Sequence, residues 1–216
     1  MLVKIYRSYL NDAVIEEVGK VSLTDVTVSS VSGVAQEFTL KYKDVEPRMI
    51  LQLLDNGETP LDLTSPPQGR DFDLSCAMAF KSTLQNQINS NISSLASSYD
   101  PRFDTNCLLS IDSEVFYVTG VTHDHPSNLS YLKVERKGNT APHYVGATIR
   151  VVRSTPSISI FDYKTGKIKI TWQQTDTNMP GTYDLEITLS RVEGASLVRW
   201  SIYPISVTVQ EDYDLR

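Results

Sequence analysis

The chain is poor in the features that usually announce a chemistry. It holds two cysteines, Cys76 and Cys107. There is no C-x-x-C pair and no Cys/His spacing that suits zinc, which excludes a disulfide-rich scaffold and a zinc fold. The two thiols could pair with each other, but nothing in the sequence brings them together, and they read as two buried small hydrophobes. No run of 18 apolar residues occurs, so no membrane-spanning helix is expected. The opening stretch MLVKIYRSYLNDAVIEE lacks an apolar core, so no secretory signal is expected. A Gly-rich phosphate loop and a G-x-S-x-G elbow are both missing, which leaves nucleotide hydrolysis and serine-esterase chemistry without a motif. Positive charge is also short. Lys and Arg number 20 against 26 Asp and Glu, a net charge of -6, and the cations are scattered rather than gathered into the basic patch of a nucleic-acid binder.

What the chain does have is alternation. Ile168, Ile170 and Trp172 are each separated by a polar residue, as are Tyr183, Leu185, Ile187 and Leu189. Trp200, Ile202, Ile205, Val207 and Val209 continue the pattern with a break at Pro204. A period of two puts one face of each strand on a core and the other in water. Met179-Pro180-Gly181 and Glu193-Gly194 supply the turns between these runs. Earlier, Leu23 to Tyr42 alternates around a turn at Ser32-Gly33, and Arg48 to Leu54 leads to Asp55-Asn56-Gly57, where Asn-Gly favours a tight hairpin. Pro66-Pro67 and Gly69 break the chain before Asp71 to Lys81, where Phe72, Leu74, Cys76, Met78 and Phe80 share one side.

Residues 82–98 change character. Leu84, Ile88, Ile92 and Leu95 fall at helical spacing after Ser82, a suitable N-cap, so a short helix is expected, with a long polar loop as the alternative. From Tyr99-Asp100-Pro101 to about Arg153, strand-like runs resume around turns at Asp112-Ser113 and in the polar segment THDHPSN. Lys164-Thr165-Gly166 marks a further hairpin.

The expected fold is all-β, an antiparallel Ig-like β-sandwich interrupted by a short helix and a small inserted β-meander. Residues 1–22 form an N-terminal strand or arm, 23–81 and 155–212 a discontinuous sandwich, 82–98 the helix or linker, and 99–154 the inserted module. Insertions of this kind are tolerated at exposed loops because a longer loop costs little closure entropy.

Candidate chemistry is thin. His123 and His125 flank Asp124, and His143 and Glu114 could lie nearby. Two histidines and a carboxylate can hold a metal, but HDHP suits a polar hairpin loop equally well, and no metal is assigned. Paired carboxylates for glycoside hydrolysis stay open, although Asp and Glu sit mostly at turns and strand ends. Tyr6, Tyr9, Tyr99 and Tyr213 are candidate interface anchors. No catalytic residue and no cofactor is assigned.

Two parts of the chain each carry a resemblance. LQLLDNGETPLDLT, GKIKITWQQTDTNMPGTYDLEITL and WSIYPISVTVQED resemble the N-terminal domain of the baseplate upper proteins of tailed bacteriophages, over a little more than half of the chain. In that family a strand ending in a glycine turn leads to a P-G-T-Y segment, here Pro180, Gly181, Thr182 and Tyr183, and the last strand ends in an acidic tail. The inserted block is similar to a small β module common in phage virion proteins. Glu114, Val118, Val134, Arg136, Gly138, Thr140, Ala141, His143, Gly146 and Ala147 match its pattern, in which the histidine anchors a loop. The module's two-glycine loop is shortened here to Lys137-Gly138-Asn139.

The resemblance implies a non-enzymatic virion structural protein, made in the host cytoplasm. It would be a tail, baseplate or neck adaptor that forms a symmetric homo-oligomer. Its partners would be other copies of itself, neighbouring virion proteins and a fibre, with no nucleic acid or membrane. The family's long C-terminal stalk has no counterpart after the last strand, so an adaptor is expected rather than a fibre. Capsid decoration is one alternative. A module that binds or depolymerises host-surface carbohydrate is another, since a β-sandwich does not fix function.

Overall fold

The computed structural model describes residues 2–9, 12, 14–22, 37–55, 59–64, 72–89, 93–105, 107–137, 141–193 and 196–211. Among them the fold is all-β, mainly antiparallel, and no helix occurs. The strands are β1 (Leu2–Tyr9), β2 (Val14–Ser22), β3 (Glu37–Lys41), β4 (Arg48–Asp55), β5 (Thr59–Pro60), β6 (Asp73–Thr83), β7 (Ser94–Ser98), β8 (Leu108–Ile111), β9 (Glu114–Asp124), β10 (Leu129–Lys137), β11 (Thr148–Ser154), β12 (Ser157–Asp162), β13 (Lys167–Thr171), β14 (Gly181–Glu193) and β15 (Ser196–Gln210). The expected strand over 23–34 lies outside the described residues. So do the turn residues Ser32-Gly33, Asn56-Gly57, Pro66-Pro67, Gly69 and Gly194, together with Ile92, Tyr213 and the side chain of Trp200.

The chain divides into two compact units, Met1–Ala77 with Thr155–Arg216, and Met78–Ser154. In the first unit one sheet runs β12-β13-β4-β1-β2, with β5 added to β4. The segment expected as an N-terminal strand or arm thus supplies an inner strand, β1, and its hairpin partner β2. A second sheet holds β3-β15-β14, in which β3 lies parallel to β15. The alternation read from the sequence is the pattern of burial. Ile168, Ile170 and Trp172 are buried, as are Tyr183, Leu185, Ile187 and Leu189. Each such side chain contributes about 1.5–3 kcal/mol when withdrawn from water.

The break at Pro204 has a structural counterpart. Leu185 pairs with Ile205 but Ile187 pairs with Ile202, so β15 carries one extra residue at that point. Proline has no N–H for the ladder, and a bulge is where a strand accommodates it. The bulge also keeps both Ile202 and Ile205 in the core, three residues apart. The Trp172 ring lies 6.1 Å from Phe38 on β3, and its indole N–H donates to the Pro47 carbonyl at 3.0 Å. The buried polar end of the side chain is therefore satisfied.

The second unit is the row β6-β11-β8-β9-β10-β7, in which Met78 to Thr83 of β6 pair with β11. Strands β8, β9 and β10 form a meander of consecutive antiparallel neighbours.

The helix expected over 82–98 is not formed. Ser82 and Thr83 continue β6, Leu84 bridges Ser97, Ile88 bridges His143, and Ser94–Ser98 is strand β7 on β10. Leu84, Ile88 and Leu95 are buried, as their spacing suggested, but from an extended backbone. Ser and Asn gain little from a helix. Here they serve cross-chain bonds instead, with Asn86 Oδ1 accepting the Ala96 N–H at 2.6 Å and Ser82 Oγ meeting Ser97 Oγ at 2.7 Å. Tertiary pairing outweighs a weak local period.

Candidate functional site

The densest polar chemistry lies in the second unit, on the core-facing side of the meander. In β9 the residues Glu114, Phe116 and Val118 alternate inward, and in β10 Leu132 and Val134 do the same. Arg136 is next in phase on β10, directly opposite Phe116. The alternation thus places an acid and a base at core positions, where each must find a partner. They find each other. Arg136 Nε donates to Glu114 Oε1 at 2.7 Å and Nη2 donates to Glu114 Oε2 at 2.8 Å. Both side chains are largely withdrawn from water, 7% and 4% exposed. The remaining guanidinium donors reach the carbonyls of Asn89 and, at 2.8 Å, Ala141. The guanidinium also lies over the Phe116 ring, 5.2 Å from its centre.

His143 completes the cluster. It is buried, held by reciprocal backbone bonds with Ile88 at 2.9 and 3.0 Å. Its Nε2 meets Glu114 Oε2 at 2.8 Å and its Nδ1 meets Asp112 Oδ2 at 3.1 Å. Asp112 sits in the two-residue turn between β8 and β9 with φ +54, a left-handed conformation that Asp tolerates better than most residues. The Arg136 hydrogen bonds, opposed by burial and helped by His143, hold the Glu114 carboxyl below the usual carboxylate range.

This arrangement is a clasp. It ties the segments at Asn89, Ala141 and His143 to β9, β10 and the β8–β9 turn. It does not converge on a metal ion. The two carboxylates approach opposite nitrogens of one imidazole, so a cation at either nitrogen would be out of reach of the other carboxylate. Among the described residues no three His, Cys, Asp or Glu side chains group closely enough to hold a metal.

The HDH segment lies elsewhere. His123 and Asp124 belong to β9 rather than to a loop, and only His125 enters the turn. His123 Nδ1 meets the buried Ser130 hydroxyl at 3.0 Å, and both histidine rings contact Tyr99, at 5.4 and 4.6 Å. The structure brings His143 together with Glu114, and His123 together with His125, as two separate groups. Cys76 and Cys107 are both free and buried, and burial pushes both thiols up, away from the reactive thiolate.

Of the tyrosines expected as surface anchors, Tyr6, Tyr9 and Tyr99 are half-buried. The most exposed large hydrophobics among the described residues are Tyr144 and Val145, at 65% and 62%. Sequence reading passed over them, and it passed over Asp112 as a partner of His143. The Glu114–Arg136 pair did leave a signal, opposite charges in phase with Phe116 and Val134 on neighbouring strands.

No protein-family model matches the chain, and no curated protein matches it significantly in sequence.

Proposed function

We propose that the chain is a non-enzymatic structural protein of a tailed-phage virion. In this reading it is an adaptor of the tail, baseplate or neck that assembles as a symmetric homo-oligomer and anchors a fibre or receptor-binding protein. The observation that carries it is the use made of the residues matching the virion-type module. Glu114, Arg136 and His143 are bonded to one another and to backbone carbonyls, so their polar groups hold chain segments in place rather than face a substrate. A rigid platform is what an adaptor needs, because its work is to present a surface with no turnover.

Three further features support the reading. The matching segment Pro180-Gly181-Thr182-Tyr183 opens β14, and the Tyr183 hydroxyl donates to the Met179 carbonyl at 2.9 Å, closing the turn that precedes the strand. An Ig-like sandwich is the proposed scaffold of the first unit. It is supported by the buried faces of both its sheets and by Arg7 of β1, whose guanidinium lies 5.6 Å from the centre of the Phe38 ring on β3. Tyr144 and Val145 supply exposed apolar side chains of the kind that anchor interfaces.

The test is immunogold labelling of whole phage particles with an antibody to this chain, paired with mass spectrometry of purified particles. Label at the tail tip or neck supports the adaptor. Label spread over the head reassigns the chain to capsid decoration. Absence from the particles by mass spectrometry overturns the virion reading. A glycan array and a reducing-sugar assay, both expected to be silent, test the carbohydrate alternative.

A further inference from the structure

His143 faces a carboxylate on each side, and this has a consequence for pH. A carboxylate only accepts hydrogen bonds, and a neutral imidazole carries one N–H. Both contacts, Nε2 to Glu114 at 2.8 Å and Nδ1 to Asp112 at 3.1 Å, are hydrogen bonds only when both ring nitrogens bear hydrogen. With one proton removed, a nitrogen lone pair would confront a carboxylate oxygen at the same distance.

The two contacts are not equally able to give way. Glu114 is buried and gripped by Arg136 through two bonds, so it cannot turn. The Asp112 side chain is 79% exposed and can swing into water. Among the described residues, the charged groups facing the ring are Glu114 from β9, Asp112 from the β8–β9 turn and, through Glu114, Arg136 from β10. The segment at Ile88 offers backbone only, and Phe116 offers the edge or face of its ring at 5.9 Å. With His143 charged these four groups sum to zero. With it neutral they leave one negative charge uncompensated.

We infer that protonation of His143 latches residues 141–147 to the β8–β9 turn, and that its deprotonation releases Asp112 and loosens the segment that presents Tyr144 and Val145. The latch is closed while both ring nitrogens carry hydrogen and opens when the ring loses one of them. It fails again at low pH, where Glu114 takes up a proton. The same residues that build the clasp thus make the exposed Tyr144–Val145 pair rigid in one pH range and mobile in another, whatever assembly the chain belongs to.

The test uses the full chain, with nitrogen-15 NMR of the imidazole rings and amide hydrogen exchange from pH 5 to pH 9. The reporters are the amides of His143 and Gly146, which donate to Ile88 O and Leu84 O, both at 2.9 Å. At the acid end both ring nitrogens of His143 should show the protonated shift. Protection of the two amides should fall at least about ten-fold as the ring deprotonates, the scale of one lost charge-assisted hydrogen bond. Asp112→Asn is the control that keeps the fold. An amide can accept from Nδ1–H or donate to bare Nδ1, so the step in protection should vanish while His143 still titrates. A singly protonated ring at pH 5 overturns the latch. So does unchanged protection across the titration of His143, or a step that persists in Asp112→Asn.

Discussion

Arg136 grips Glu114 with two parallel hydrogen bonds, 2.7 and 2.8 Å long, at positions that alternation alone would have filled with apolar side chains. A bidentate, water-excluded pair is specific in geometry, but its two charges cost a great deal to bury. Loss of one partner is therefore worse than loss of both. Arg136→Met and Glu114→Leu are each expected to destabilise the second unit by about 3–5 kcal/mol. The double replacement Glu114→Leu with Arg136→Met should cost less than the sum of the single changes. Urea denaturation of the four proteins measures this, and additive losses would show that the pair is not coupled.

Acid should weaken the same unit in a defined direction. The folded value of Glu114 lies below its unfolded value near 4.5, because of the Arg136 hydrogen bonds foremost. A carboxylate shifted down contributes stability that is complete above the unfolded value and is lost as pH falls through the folded one. Thermal melting between pH 6 and pH 3 should decline on this account, and Glu114→Gln should flatten the decline. An identical acid slope in wild type and Glu114→Gln would place the titration elsewhere.

Gly166, in the turn before β13, is expected to tolerate no side chain. Its φ is +61, and an added Cβ would stand 2.5 Å from the Leu61 carbonyl oxygen and 3.0 Å from that of Leu53. Neither backbone oxygen can withdraw without breaking the bonds that place β5 and the following residues against β4. Gly166→Ala should cost about 1–3 kcal/mol. Gly146, also at positive φ but with open space around it, should lose less on the same substitution. Comparison of the two melting temperatures decides the point.

Trp172 and Tyr183 anchor the first unit. Trp172→Ala should lose about 3–5 kcal/mol through cavity formation, and Tyr183→Ala roughly 3 kcal/mol or more. Trp172→Phe should lose about 1–3 kcal/mol, since the buried Pro47 carbonyl is left without its donor. Tyr183→Phe, which keeps the ring and gives up the Met179 bond, should lose about 1 kcal/mol. Unchanged melting in both alanine variants would mean that the inward face running from β13 to Trp172 and that of β14 are assigned wrongly.

Much of the strand layout was legible because side-chain alternation is a local property. Ile168, Ile170, Tyr183, Leu185, Ile187 and Leu189 needed only their own spacing to be placed inward, and the phase break at Pro204 could be seen in the letters. Residues 82–98 misled for the same reason. Leu84, Ile88 and Leu95 obey a helical period, yet the Leu84 N–H donates to the Ala147 carbonyl, Ile88 exchanges bonds with His143 and Leu95 pairs with Leu132, partners that no local window contains. The clasp was half legible. Its three motif residues stood out, but their mutual contact did not, since Glu114 and Arg136 lie on different strands and His143 arrives from a loop.

The sequence by itself determined many of the residues that turn inward and, outside residues 82–98, that the described structure is built of strands. Both follow from the period of two and from the chemistry of turn residues. Only the tertiary structure decided how those strands pair, that the residues expected as a helix end β6 and form the edge strand β7, and that Glu114, Arg136, His143 and Asp112 form one network. The physical reason is range. Burial preference is written residue by residue, whereas a hydrogen bond to a partner tens of residues away exists only once the chain has closed the loop between them.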